Sequence, residues 1–349
     1  MASTTTNDNA AAERAAAGFL MIGFDGHEVT DHVRAMVRGG AFGVILFARN
    51  YAHRAQVAEL ARAAKGCTAA PVAVAVDHEG GRVQRFRGEG FTDTPAMRHL
   101  SREWGAHPDG PAHRARALGR LFAAELRPIG IDIDFAPVLD VDSNPENPVI
   151  GERAFSEDPA FVAELGCALI EGLQEGGVAA CGKHFPGHGD TDMDSHHHLP
   201  RLSHGLDRLR RTELVPFRAA VRARVASIMT SHILFEALDP DRPATMSERV
   251  LQGLLRDELG FDGVIVSDDL EMKAIADHYP MPGAAVDAVR AGCDLLLCCH
   301  TPALQSSIQG ELAKAIRDGR IDARAVAASE RRRAALVRRF VRTIDASAA

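Results

Sequence analysis

The chain has 349 residues, 46% of them hydrophobic and 25% charged, and a formal net charge of −7. That composition is ordinary for a soluble globular protein and leaves room for one large α/β domain or two smaller ones. The negative balance argues against nucleic acid or an anionic membrane surface as the main partner, and no window reaches the roughly eighteen apolar residues of a membrane span.

The N-terminus, Met1-Ala-Ser-Thr-Thr-Thr-Asn-Asp-Asn9, lacks a basic segment followed by an apolar one, so no signal peptide is expected. The six cysteines fit no metal-ligand spacing. Cys181, Cys293, Cys298 and Cys299 fall in apolar runs, where a reduced cysteine serves as a small hydrophobe. A cytoplasmic, monomeric protein in a reducing compartment is the expectation.

Residues 1–16 are polar and alanine-rich and read as a flexible lead-in to a single domain over 17–349. Short apolar runs then alternate with longer amphipathic ones. The apolar runs are Gly18–Gly23, Gly43–Phe47, Val72–Val76, Ile131–Val138, Val178–Gly182, Ser227–Ser231, Gly263–Val266 and Cys293–Leu297. Each is too short for a globular helix, and most are bounded by glycine or a polar turn. Between them Ala55–Ala64, Ala112–Leu126, Pro159–Leu173, Leu206–Ala223 and Ser247–Leu259 have helical length and period. Such alternation implies parallel strands with crossover helices, and eight strands favour a closed (β/α)8 TIM-type barrel. An open doubly wound sheet would want a glycine-rich phosphate turn after its first strand, and Phe24-Asp-Gly-His-Glu28 is not one. Segments 81–109 and 144–150 read as insertions over the barrel top.

In a barrel, active residues follow the C-terminal ends of strands. Those positions carry Asp25, Arg49, Asp77, Asp140, Lys183, His184, His232, Asp268 and Asp269, a polar ring at one end of the fold. Between Lys183 and Pro200 the chain holds five histidines, three aspartates and a lysine. That stretch has no apolar period and reads as an active-site loop, 183–204. Gly187 and Gly189 suggest a lid, and replacing both with alanine is expected to slow turnover without disturbing the fold. Asp268 is a candidate nucleophile, with Asp269 as helix cap. Asp194 and His196 form a candidate acid/base pair, the carboxylate fixing the imidazole tautomer. Lys183, His184, Arg85 and Arg153 are donors suited to sugar hydroxyls, and Asp77 is an acceptor for two of them.

These residues sit in motifs with a family resemblance. Lys183-His-Phe-Pro-Gly-His-Gly-Asp-Thr191 with Asp194-Ser-His196 resembles the β-N-acetylhexosaminidases of glycoside hydrolase family 3. So do Asp77-His-Glu-Gly-Gly-Arg-Val-Gln-Arg85, Phe135-Ala-Pro-Val-Leu-Asp-Val141, Ile150-Gly-Glu-Arg-Ala-Phe155 and Gly260-Phe-Asp-Gly-Val-Ile-Val-Ser-Asp-Asp-Leu270. The resemblance runs in order from about residue 18 to 300. It implies a barrel that releases terminal β-linked N-acetylglucosamine with retention, with Asp268 as nucleophile, His196 as acid/base and Asp194 as its partner. Asp77, Arg85, Arg153, Lys183 and His184 would hold the sugar. With a cytoplasmic location it further suggests muropeptide fragments from cell-wall recycling as substrate; no cofactor and no metal are expected, because the polar ring already supplies nucleophile, acid and sugar grips. His78 stands where that motif usually has glutamine, and His197 and His198 extend His196 into an unusual triple.

Three other readings compete. A β-glucosidase or a β-N-acetylglucosaminide phosphorylase could use the same scaffold. A zinc amidohydrolase is suggested by His184, His188 and His196 but lacks a His-x-His at the first strand end. A sugar-binding protein without activity would not need both Asp268 and the Asp194–His196 pair.

Overall fold

The computed structural model of the chain describes residues 2–105, 108–195 and 198–343. Eight strands close into a barrel: β1 (Leu20–Ile22), β2 (Gly43–Leu46), β3 (Ala73–Val76), β4 (Ile133–Asp134), β5 (Ala179–Phe185), β6 (Ser227–Thr230), β7 (Val264–Asp269) and β8 (Leu295–Cys298). Every pair is parallel and consecutive in sequence, and β8 closes on β1 with Leu20 opposite Leu296. Each strand lies within or overlaps one of the eight apolar runs. Those runs are continuous rather than alternating because both faces of a parallel barrel are covered.

The two faces divide the side chains with period two. Met21, Ile45, Ala75, Ile133, Cys181, Met229, Val266 and Leu297 pack together in one buried cluster. Leu20, Ile22, Val44, Leu46, Val74 and Val76 belong to a second, larger cluster that includes the helices. Helices Arg54–Lys65, Pro111–Leu126 and Pro159–Glu175 form where the sequence periodicity places them. The stretch read as one helix over Leu206–Ala223 is two, Leu206–Arg211 and Leu214–Arg222, with the turn at Thr212–Glu213 burying Glu213 at 1% exposure. Residues 2–17 form a helix whose Ala12, Ala16 and Ala17 are buried.

Over the barrel mouth, a two-stranded ribbon pairs His78–Gly80 with Val83–Gln84, and a helix spans Met97–Trp104. The barrel ladder is irregular at two points. Register shifts between Gly182 and Phe185, and again between Val266 and Asp269. Bulges of this kind re-aim side chains at a barrel rim, and here they fall at Lys183–His184 and at Asp268. All six cysteines are free thiols. Among the described residues no helix is long and apolar enough to cross a membrane.

Candidate active site

A cavity of about 630 Å³ opens at the C-terminal mouth of the barrel. Of the residues singled out from sequence, Asp77, Arg85, Arg153, Lys183, His184, Asp194 and Asp268 all line it. His196 and His197 lie outside the described residues. Asp25 and Arg49 pair with each other at 2.7 Å rather than lining the cavity.

The floor is a desolvated ionic network. Lys183 reaches up from β5 and donates to Asp77 Oδ1 at 2.7 Å and to Glu79 Oε1 at 2.6 Å. Arg153, at the end of a short 3-10 turn, donates to both oxygens of Glu79 at 2.9 and 2.8 Å. Arg85 approaches Asp77 at 3.4 Å. Burial by itself would push the Glu79 carboxyl up, but Arg153 and Lys183 outweigh it and hold it well below the usual range. Burial likewise works against the Asp77 carboxylate, and Lys183 and Arg85 bring it down in net. Lys183 itself is raised, because Asp77 and Glu79 overcome its desolvation. All are therefore ionised, and the cations are fixed before any ligand arrives.

Glu79 carries a role that was not assigned from sequence. The signal was present: Asp77 and Glu79 are two residues apart on extended backbone, so they share a face. Removing one partner from a buried ion network leaves an uncompensated charge and costs about 3–5 kcal/mol. Glu79→Gln is expected to raise KM for a sugar substrate by more than about tenfold and to lower the thermal midpoint. An unchanged KM would separate Lys183 and Arg153 from sugar binding.

His78 points the other way, among Phe86, Phe91 and Phe122 at ring distances of 6.1, 5.9 and 5.2 Å. Neither ring nitrogen has a hydrogen-bond partner among the described residues. Burial, aided by Arg87, drives its pKa from 6.5 to about 3. Burial also drives His188 down to about 4. Both imidazoles bind a proton more readily in the unfolded chain than in the folded one. The stability they contribute is complete above about pH 6.5 and is lost as pH falls toward those folded values. The expected slope is about 1.4 kcal/mol per pH unit for each group. The thermal midpoint should fall between pH 6.5 and 4.5, less steeply in His78→Phe. An identical slope in that variant would place the acid sensitivity elsewhere.

Asp140, buried below the loop, organises its start. Its Oδ2 lies 2.7 Å from His184 Nδ1, and its Oδ1 accepts the backbone N–H groups of His184 at 3.1 Å and His188 at 2.7 Å. His184 thus commits its Nδ1 edge and presents Nε2 to a ligand. His188 places Nδ1 at 2.9 Å from Thr191 Oγ1 and Nε2 at 2.9 Å from Ser195 Oγ. The glycines are not free hinges. A Cβ on Gly189 would lie 1.7 Å from the Val141 carbonyl oxygen, and one on Gly187, at φ +143°, would lie 2.8 Å from Glu213 Cβ. The expectation that both could become alanine with the fold intact is therefore corrected: they allow close approach of backbone.

Asp268 Oδ1 accepts the Asp269 N–H at 2.8 Å. Asp269 turns toward β8 instead, where Oδ1 accepts the N–H groups of Glu271 and Cys299, both at 3.2 Å. Its Oδ2 lies 3.2 Å from His300 Nε2. The next helix starts only at Lys273 with Met272 before it, so Asp269 closes a turn instead of capping a helix. Among the described residues no cluster of three His, Cys, Asp or Glu side chains could hold a metal. The nitrogens of His188 face two hydroxyls, and His184 Nδ1 faces Asp140.

Residues 15–336 match the glycosyl hydrolase family 3 N-terminal domain. A β-hexosaminidase of Thiobacillus denitrificans is 44% identical over 300 residues, covering 84% of this chain and 82% of that protein. A family 3 β-N-acetylglucosaminidase from Paenibacillus sp. superposes with a TM-score of 0.90 at 41% identity over 94% of this chain. This chain spans 62% of the length of that structure. NagZ from Neisseria gonorrhoeae, solved with N-trifluoroacetyl-D-glucosamine, gives a TM-score of 0.77 at 35% identity, covering 91% of this chain and 98% of its own.

Proposed function

The chain belongs to glycosyl hydrolase family 3, and we propose that within it this enzyme is a retaining exo-β-N-acetylglucosaminidase. One observation carries the reading: a single cavity brings Asp268 together with the preassembled Asp77–Lys183–Glu79–Arg153 network. Asp77 and Arg85 would grip ring hydroxyls, and Lys183, Arg153 and His184 Nε2 would fix the rest of the terminal sugar. Each carboxylate oxygen of Asp77 keeps lone-pair capacity beyond its cation contact.

In the first step Asp268 attacks the anomeric carbon as the glycosidic C–O bond breaks, and His196 gives its proton to the leaving oxygen. Asp194 orients the imidazole and stabilises its charged form. In the second step His196 takes a proton from water, whose oxygen displaces Asp268 from the anomeric carbon. Two inversions give net retention. Asp269, at the end of β7, is turned away toward Cys299 and His300, which favours a covalent intermediate over participation by the substrate's acetamido group.

The donor substrate on this reading is a muropeptide fragment handled in the cytoplasm during cell-wall recycling. Lys273 and Arg82 on the cavity wall would suit an aglycone bearing carboxylates. Nitrophenyl glycosides of N-acetylglucosamine and of glucose, with the product anomer followed by NMR, test the core of the proposal. Preference for the N-acetyl sugar with a β product is expected. Preference for glucose, an α product or a strict need for inorganic phosphate would overturn it.

A further inference from the structure

We propose that Ser195 and His188 form a latch that positions the Asp194–His196 segment for proton transfer. The proposal rests on the acid/base reading of that segment given above. Ser195 stands between the two residues and is 2% exposed despite lying on a polar loop. Two contacts fix it. Its hydroxyl meets His188 Nε2 at 2.9 Å, and its carbonyl oxygen accepts the N–H of Ala274 at 3.3 Å. Ala274 lies in the short helix Lys273–Ala276 that follows Asp268 on β7. Ser195 therefore joins the loop after β5 to the segment that follows the nucleophile.

Both ring nitrogens of His188 are held by hydroxyls. Asn147 Nδ2–H donates to Thr191 Oγ1 at 3.2 Å and to the His188 carbonyl at 2.8 Å. Thr191 Oγ1 also donates to the His188 carbonyl at 3.2 Å and lies 2.9 Å from His188 Nδ1. A neutral imidazole donates from one ring nitrogen and accepts at the other, and burial keeps His188 neutral. In either tautomer the ring bonds both hydroxyls, and Nε2 stays joined to Ser195 Oγ at 2.9 Å. The backbone N–H of His188 is in turn held by Asp140 at 2.7 Å, the carboxylate that orients His184. One buried chain of bonds thus runs from the sugar-facing histidine to the residue between acid and partner.

Such a chain matters for the step that needs the proton. A displacement of about 1 Å in a reacting group lowers a rate by roughly 10²-fold, and Ser195 cannot move without its neighbours. Ser195→Ala is expected to lower kcat by about tenfold on a β-linked N-acetylglucosamine disaccharide, with KM nearly unchanged. On nitrophenyl N-acetylglucosaminide, whose leaving group departs without a proton, the glycosylation rate should change by less than about twofold. His188→Gln keeps an amide that can donate or accept and should retain most of the disaccharide rate. His188→Leu should show the selective loss, and the double variant with Ser195→Ala should be no worse than the poorer single one.

His196→Ala is run beside them. If it shows the selective loss while Ser195→Ala behaves as the parent, or loses equally on both substrates, the latch is overturned and the acid/base reading stands. If His196→Ala itself loses equally on both, the acid/base reading falls and the latch with it. Should Ser195→Ala fail to fold by circular dichroism, the His188→Gln and His188→Leu pair decides by the same criterion.

Discussion

Asp268→Ala is expected to abolish turnover of both a natural disaccharide and a nitrophenyl N-acetylglucosaminide. The loss should be roughly 10⁴–10⁶-fold, the range for removal of a covalent nucleophile. Leaving-group quality cannot compensate, because the missing element is the new bond to the anomeric carbon rather than the proton on the departing oxygen. The position explains why no neighbour can substitute. Asp269 is already engaged by Glu271, Cys299 and His300 on the β8 side, and Glu271 is committed to the backbone N–H groups of His300 and Thr301 at 2.6 and 3.1 Å. A slow 2-fluoro sugar substrate should leave its label on the peptide containing Asp268 in the parent enzyme and none in the variant. Strong inhibition by a thiazoline analogue with no label would instead indicate attack by the acetamido group.

His196→Ala should divide the two substrates. General acid catalysis is worth roughly 10²–10⁴-fold when the leaving group is a sugar alcohol, so the disaccharide should lose most of its rate. A nitrophenolate leaves unaided, so glycosylation with that substrate should lose far less. The glycosyl-enzyme then waits for water without its base, and azide, which needs none, should speed its breakdown. Asp194→Ala should follow the same pattern more weakly, since a carboxylate that orients an imidazole is not itself the donor. Equal losses on both substrates for His196→Ala would assign the proton to another residue.

The barrel was legible because each strand is a short apolar run closed by a polar strand-end residue, and a parallel barrel gives no alternation to confuse the reading. Asp77, Lys183 and Asp268 were legible for the same reason: each is a charged side chain at the end of a short apolar run, where a charge has few structural uses. Asp140 was marked as a strand-end residue, but its grip on His184 was not, because that bond joins residues 44 apart in sequence. Glu79 was hidden inside a motif in which its neighbour drew the assignment. The role of Asp269 was misread because a local rule about helix caps competed with contacts from β8 that no local rule contains. The glycines of the loop were misread similarly. Flexibility is an inference from one residue, whereas close approach needs its partner, here the Val141 carbonyl.

The ionic floor of the cavity has a further consequence for how this chain can change. Its charges leave water when the chain folds, not when a sugar arrives, so the empty enzyme already bears their desolvation. Well-packed apolar replacements for a buried ion network are often neutral or even stabilising. Variation at Asp77, Glu79, Arg153 and Lys183 would then be pulled in opposite directions by robustness and by sugar recognition. A lineage released from its substrate should lose this quartet early and together, since any single loss strands a charge, while the barrel around it persists.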